Sequence, residues 1–350
     1  MQERMCNQLL DQQLSYWKFD KYRTKKEKSV MPELDDMPVR FSALVDGVCF
    51  ARELTAEPAN LLYPKLYAER LLELDMEVEI LDISAMGALQ AAGQGSGHAP
   101  YAVAMTWKGP NSPEKPILVV GKGVCFDSGG LCIKRPDIQR LMKWDKAGAG
   151  AVAGLMKALQ ASNMSAYVVA IVGLIENMPD GKAIRPGDVI TSLSGQTIEI
   201  ADTDAEGRLV LADLLYYGIK RYQPELAIDL GTLTPEVFAT LGPTYAGLYT
   251  DDDLLAQELV TAGKISGDKL WRLPMGESFA KQIESEIADI KNLGDEFYGE
   301  SGACAEFLRN FVPQNLPWAH IDIAGVSWTK EKGPTGYGVR LLEEFIRRRT

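Results

Sequence analysis

Apolar and polar positions along the chain switch between a helical and an extended period, and the order of the switches predicts the architecture. Leu9, Leu10, Leu14 and Trp17 recur at helical spacing, and a charged stretch follows over 22–29. Helices are predicted over 39–57, closed by Pro58, over 64–74, opened by Pro64, and over 83–94, with a strand at 78–82. A Gly-rich stretch at 93–97 ends the last of these helices. From Pro116 the order becomes strand, loop, helix, strand: a short apolar run at 117–120, an Ala/Gly-rich helix at 147–161, and a continuous apolar run at 166–175. Unbroken apolar runs of that kind mark strands buried on both faces of a parallel sheet. Residues 177–186 form a Pro/Gly loop, and Ser194-Gly195 a turn between two short strands. An alternating run at 196–200 precedes a helical run at 209–222. Further strands fall at 226–230 and 319–323, with helices at 235–241, 254–263, 279–288, 304–311 and 337–349. The alternation of strands and helices predicts an α/β fold, a mostly parallel mixed sheet with helices on both faces. Ligands in such sheets gather at the carboxyl ends of the strands.

Composition narrows the chemistry. The net charge of −11 over 350 residues gives no electrostatic footprint for nucleic acid or an anionic membrane. Five cysteines stand at no disulfide or zinc-ribbon spacing, and no apolar leader opens the sequence, so a reducing cytoplasm fits best. With only His98 and His320, far apart, a histidine-based zinc site or a Ser-His-Asp triad has little to work with.

The stretch Asp202-Thr-Asp-Ala-Glu-Gly-Arg-Leu209 lies where the alternating run meets the helical one. In an extended backbone, residues two apart share a side, so Asp204 and Glu206 aim two carboxylates into one space and Arg208 continues on that side. Such carboxylates repel unless a proton or a cation lies between them. An acidic helix N-terminus, favoured by the macrodipole, is the plainer reading of Asp-x-Glu alone. A second constellation shifts the balance: Lys122, Asp127, Gly129-Gly130, Lys134 and Asp145 follow the strand at 117–120. Gly121-Lys122-Gly123 lacks the spacing and the hydroxyl of a phosphate loop. Asp127, Asp145, Asp204 and Glu206 together offer four negative charges, the number two divalent cations neutralise.

The segments 121–130 (GKGVCFDSGG) and 202–209 (DTDAEGRL) resemble the two signatures of the leucyl aminopeptidase family, the M17 dinuclear metallopeptidases. The resemblance runs from about residue 40 to 350, through Asn177-Met-Pro, Arg185-Pro-Gly-Asp188, Trp271-Arg-Leu-Pro274 and the segment 318–325. It implies a dinuclear-metal exopeptidase fold over 41–350, with residues 1–40 a helix and linker left from the N-terminal domain that relatives carry. It also implies two divalent ions, Mn2+ or Zn2+, with Mg2+ or Co2+ as further options. Lys122, Asp127, Asp145, Asp204 and Glu206 would bind them, Asp127 and Glu206 as bridges, Lys122 and Asp145 on one ion and Asp204 on the other. An amine ligates only when deprotonated, which adjacent dications favour.

The implied reaction is hydrolysis of the N-terminal peptide bond by a water shared between the ions. Lys134 would stabilise the oxyanion, and Arg208 would hold a bicarbonate that relays the proton. Met142, Thr232 and Leu233 match positions lining the pocket for the first side chain. The implied partners are peptides with a free N-terminus and five further copies in a hexamer. A non-catalytic structural member or a DNA-binding member of the same fold is the alternative, which the complete set of ligand positions and the acidic charge disfavour. Asp202, Lys146, Pro235, Pro334 and Glu306 depart from the family pattern, and the two prolines reshape the pocket, leaving a simple preference for leucine open.

Overall fold

The computed structural model describes residues 2–25, 37–294 and 298–350. Its strands are β1 (Glu77–Ile80), β2 (Tyr101–Lys108), β3 (Ile117–Asp127), β4 (Tyr167–Asn177), β5 (Val189–Thr191), β6 (Thr197–Glu199), β7 (Leu226–Gly231), β8 (Ala246–Tyr249), β9 (Leu270–Arg272), β10 (Ile290–Lys291) and β11 (Trp318–Asp322). Its helices are α1 (Gln2–Ser15), α2 (Val39–Ala56), α3 (Pro64–Leu71), α4 (Gly87–Gly93), α5 (Pro136–Gln139), α6 (Ala147–Ala161), α7 (Glu206–Tyr222), α8 (Pro235–Leu241), α9 (Asp253–Ser266), α10 (Glu277–Ala280), α11 (Glu300–Arg309) and α12 (Val339–Arg347). Eight strands form one sheet in the order β1-β2-β4-β3-β7-β11-β8-β9. The central run β4-β3-β7-β11 is parallel throughout, and the antiparallel pairings lie outside it.

Each central strand divides its side chains between two cores. Ile117 and Val119 of β3 and Val168, Ala170 and Val172 of β4 face one side, with α2, α6, α9 and α12. Leu118 and Val120, with Val169 and Ile171, face the other, with α4, α7 and α11. Period-two alternation thus persists inside runs that are apolar at every position. The small residues of α6 let it sit close: a Cβ on Gly148 would lie 2.4 Å from Leu230 O, and one on Gly154 2.4 Å from Gly47 O of α2. Leu10 and Leu14 of α1 are buried in the same core as α2. Part of the charged stretch and linker expected before residue 40 falls at 26–36, outside the described residues.

Several boundaries differ from the periodicity, each for a physical reason. β3 runs on to Asp127, because Gly121 and Gly123, which read as loop, let α6 and β4 press against the strand. β2, β8 and β9 escaped the pattern; the last two are only 4 and 3 residues long. The helix expected over 83–94 starts at Gly87, since Asp82 Oδ1 accepts from Ser84 N-H in a turn. The one expected over 279–288 breaks after Ile283, and Ser285 Oγ takes the amides of Ile287 and Ala288 instead.

Candidate active site

Four neighbouring parallel strands end on the same side of the sheet, and the candidate residues gather there. Asp127 closes β3, Asn177 closes β4, Thr232 follows β7 and Asp322 closes β11. Lys122 and Asp127 are five positions apart on β3, so regular alternation would send them to opposite faces. The strand carries one extra residue between Val124 and Phe126, a bulge that restores them to one side. Beyond β3, Gly129 (φ 88°) and Gly130 (φ 65°) turn the chain through the left-handed region, which glycine adopts without strain. The turn points Gly129 N-H at Asp127 Oδ1, 2.9 Å away.

The stretch 202–205 is a turn and not an extended strand, and α7 begins at Glu206. Asp202 Oδ1 shapes that turn by accepting from Asp204 N-H at 2.7 Å. Asp204 and Glu206 still converge, but across a turn-helix junction, and Arg208 points elsewhere. Oxygens of Asp127, Asp204 and Glu206 lie within 4.8 Å of one another. At an effective dielectric of ~20, two charges at that distance repel by roughly 3 kcal/mol. Two ammonium groups offset this. Lys122 Nζ lies 2.8 Å from Asp145 Oδ2 and 2.8 Å from Glu206 Oε1, and Lys134 Nζ lies 2.8 Å from Asp127 Oδ2 and 2.5 Å from Asp204 Oδ1.

Burial dominates the protonation of the site. It pushes the carboxyls of Asp145, Glu206 and Asp204 above their ordinary range, Asp204 to about 7, with repulsion from Asp127 adding to the last two. Burial would also lower Lys122, only 3% exposed, but attraction to Asp145 and Glu206 outweighs it and holds the ammonium above its usual value. Among the described residues, none places a hydrogen-bond donor in line with Asp145 Oδ2, Asp204 Oδ1 or either Glu206 oxygen. Asp145 Oδ2, Asp204 Oδ1 and Glu206 Oε1 lie at ion-pair distance from the lysine ammoniums. Buried carboxylate oxygens converging on one space beside an amine are a donor set that suits hard divalent cations.

The supporting residues are less visible in the sequence. Asn177 Nδ2 donates to Asp127 Oδ1 and to Thr203 O, both at 2.9 Å, tying β3 to the 202–205 turn. Thr203 Oγ1 accepts from Cys132 N-H and donates to Gly129 O, pinning the loop that delivers Lys134. Thr232 Oγ1 donates to Asp145 Oδ1 at 2.6 Å, and Thr232 O accepts from Lys122. Asn292 holds the amides of Ala201 and Asp202 and donates back to Asp202 O.

A family model described as the cytosol aminopeptidase family, catalytic domain, matches residues 49–343. The chain belongs to that family. Proteins named probable cytosol aminopeptidase from Rhodopseudomonas palustris (strain TIE-1) and Caulobacter vibrioides are each 46% identical over 95% of this chain, which spans 72% and 73% of their lengths. The bottromycin maturation enzyme BotP in complex with Mn superposes with a TM-score of 0.90 at 34% identity, covering 97% of this chain and 78% of that one. A peptidase hydrolase on a mostly parallel α/β scaffold is therefore the class of this cytosol aminopeptidase family member.

The remaining candidate residues have distinct surroundings. Met142 opens a single 3-10 turn, Met142–Trp144, whose carbonyl accepts from Asp145 N-H. Leu233 N-H reaches Asp322 Oδ1, and Pro235 forms the first turn of α8. Lys146, a departure from the pattern, is fully buried, and its ammonium donates to the carbonyls of Glu57, Lys143 and, at 3.5 Å, Cys125. Glu306 Oε1 accepts from Gly276 N-H. His320 lies in the interior, with Nδ1 2.5 Å from Asp229 Oδ1. Arg208 is 2% exposed, and both terminal nitrogens are engaged: Nη1 donates to Asn292 O at 2.8 Å and Nη2 to Glu300 Oε1 at 3.2 Å. One N–H of each terminal nitrogen is thus engaged within the protein, and the charge of the guanidinium is met by the Glu300 carboxylate. Among the described residues, no helix is long and apolar enough to cross a membrane.

Proposed function

We propose that the chain is a dinuclear metallo-aminopeptidase that removes N-terminal residues from peptides in the cytoplasm. The observation that carries this reading is the convergence of Lys122, Asp127, Asp145, Asp204 and Glu206, with oxygens of Asp127, Asp204 and Glu206 within 4.8 Å of one another. In this reading Lys122, Asp127, Asp145, Asp204 and Glu206 would hold two divalent ions, with Asp127 and Glu206 serving both. Mn2+ or Zn2+ fits the mixed amine and carboxylate donors, with Mg2+ or Co2+ as alternatives, and the Mn complex of BotP supports manganese. Such a pair of ions supplies a nucleophile at neutral pH and polarises the scissile carbonyl.

The protein's own groups do the rest. Thr232 orients Asp145, and Asn177 orients Asp127, so both carboxylates keep one lone pair aimed into the cage. Lys134 now spans Asp127 and Asp204 as an ammonium held above its ordinary value. With Asp127 and Asp204 engaged by cations, the Lys134 ammonium would be free to donate to the developing oxyanion. Arg208 fixes the Glu300 carboxylate beside the start of α7. Met142, Thr232 and Leu233 line the space for the first side chain. Assembly as a hexamer is part of the proposal, and light scattering tests it.

Metal analysis after dialysis, combined with hydrolysis of a panel of aminoacyl-anilides, is the decisive experiment. Two ions per chain and cleavage that requires a free α-amino group are expected. A metal-loaded protein that cleaves none of the panel would end the proposal.

A further inference from the structure

We propose that Glu300 is the built-in anion of Arg208, occupying the place of an external small anion and making the protein indifferent to bicarbonate. The inference rests on the aminopeptidase reading for its catalytic meaning, while its binding claim stands on geometry alone. A buried guanidinium must have a counter-charge, because an unpaired ion in the interior is strongly destabilising. Among the described residues, Glu300 is the carboxylate that ion-pairs with Arg208, at 3.2 Å.

Both sides of the pair are held in place by their surroundings. Asn292, which accepts the other Arg208 nitrogen, is locked between Ala201, Asp202 and Ala205 by four hydrogen bonds of its side chain. Arg208 therefore ties α7 to the turn that carries Asp204. Glu300 is the first residue of α11, where a negative side chain is favoured by the helix dipole. Its neighbours on either side are clamped by one carboxylate: Glu236 accepts from Gly299 N-H at 3.0 Å and from Ser301 N-H and Oγ at 2.7 Å each. The backbone at Glu300 is thereby fixed and its side chain directed at Arg208. With 31% of that side chain exposed, the carboxylate faces both the buried guanidinium and solvent, the position a relaying anion needs.

Calorimetric titration with bicarbonate, backed by the 13C linewidth of labelled bicarbonate, tests the claim without relying on activity. The wild type should show no saturable binding, in either the metal-free or the metal-loaded form. Glu300→Ala should bind one equivalent, and Arg208→Ala/Glu300→Ala none. Glu300→Gln, which keeps the length and drops the charge, serves in place of Glu300→Ala if that variant loses its circular dichroism, with the same expectation of gained binding. In CO2-purged buffer, wild-type hydrolysis should be unchanged by added bicarbonate, whereas the Glu300 variant should be slowed and then stimulated by it. Saturable bicarbonate binding to the wild type, bicarbonate stimulation of the wild type, or a folded Glu300 variant that gains no anion would each overturn the proposal. A wild type inactive on every aminoacyl substrate would instead sink the aminopeptidase reading, and the titrations would still decide this one.

Discussion

Asn177 offers a severe test of the cage, because it touches it from outside. Its Nδ2 makes two hydrogen bonds of 2.9 Å, one to a carboxylate oxygen of Asp127 and one to the carbonyl of Thr203. In Asn177→Ala both are lost. Asp127 Oδ1 keeps the amide of Gly129 and stays partly oriented, while Thr203 O, in a fully buried residue, loses its donor. Hydrogen bonds to charged groups are worth roughly 1.5–3 kcal/mol. Spent on holding Asp127 in its ligating orientation, that is a loss of roughly 10- to 100-fold in affinity for a divalent ion, the range typical of outer-shell substitutions. Competition between the protein and a chromophoric chelator for Mn2+ or Zn2+ measures it. The melting temperature of the ion-free variant separates a lost ligand geometry from a lost fold. Wild-type affinity in a folded Asn177→Ala protein would show that Asp127 is not a ligand whose orientation matters, and the cage would lose one of its two bridges.

Other expectations are narrower. Lys134→Ala should keep the metal content and lower turnover by roughly 10²- to 10³-fold, the cost of one oxyanion donor; full turnover would remove Lys134 from the mechanism. In Gly207→Ala the new Cβ would lie 2.6 Å from Lys122 Cε and 2.7 Å from its Nζ. The amine must then swing out of the cage, so metal analysis should show one ion held weakly, and two tightly held ions would contradict the placement of Lys122. Asp213 is a pH probe remote from the ligands: its oxygens accept from the amides of Ala88, Leu89 and Leu193 at 2.9, 3.0 and 2.7 Å, and burial raises its carboxyl to about 6. A native value above the unfolded one means its contribution is fully present below pH ~4 and lost as pH rises through 6, about 3 kcal/mol in all. Urea denaturation of the ion-free protein from pH 4 to 7 should show a decline steeper in the wild type than in Asp213→Asn by that amount, on top of the decline both share from Asp145, Asp204 and Glu206; parallel curves would refute it.

What could be read from the sequence is what lies close together in it. The apolar run of β4 and the Ala/Gly helix are local patterns and stand where the pattern puts them, while the run at 117–120 extends to Asp127 and Asp204 meets Glu206 across a turn-helix junction. Failures begin where an element's period changes unannounced. Strand alternation puts Arg208 on the side of Asp204 and Glu206, but α7 starts at Glu206, and two steps along a helix turn a side chain well away from the first. Asp127 and Lys122 share a side only because of a bulge at Cys125, and nothing in the residue types of β3 announces it.

The partners that come from sheet neighbours are the least legible. Asn177 meets Asp127 because β4 lies beside β3, and Thr232 meets Asp145 because β7 lies on the other side. Neither adjacency is set by chain order, since the sheet runs β4-β3-β7. The same reasoning explains why Arg208 read as a residue waiting for an external anion. Glu300 is 92 positions away, at a helix start that no residue near Arg208 signals. A sequence shows a charge that needs a partner, but only the packing of α11 against α7 decides whether that partner comes from solvent or from the chain itself.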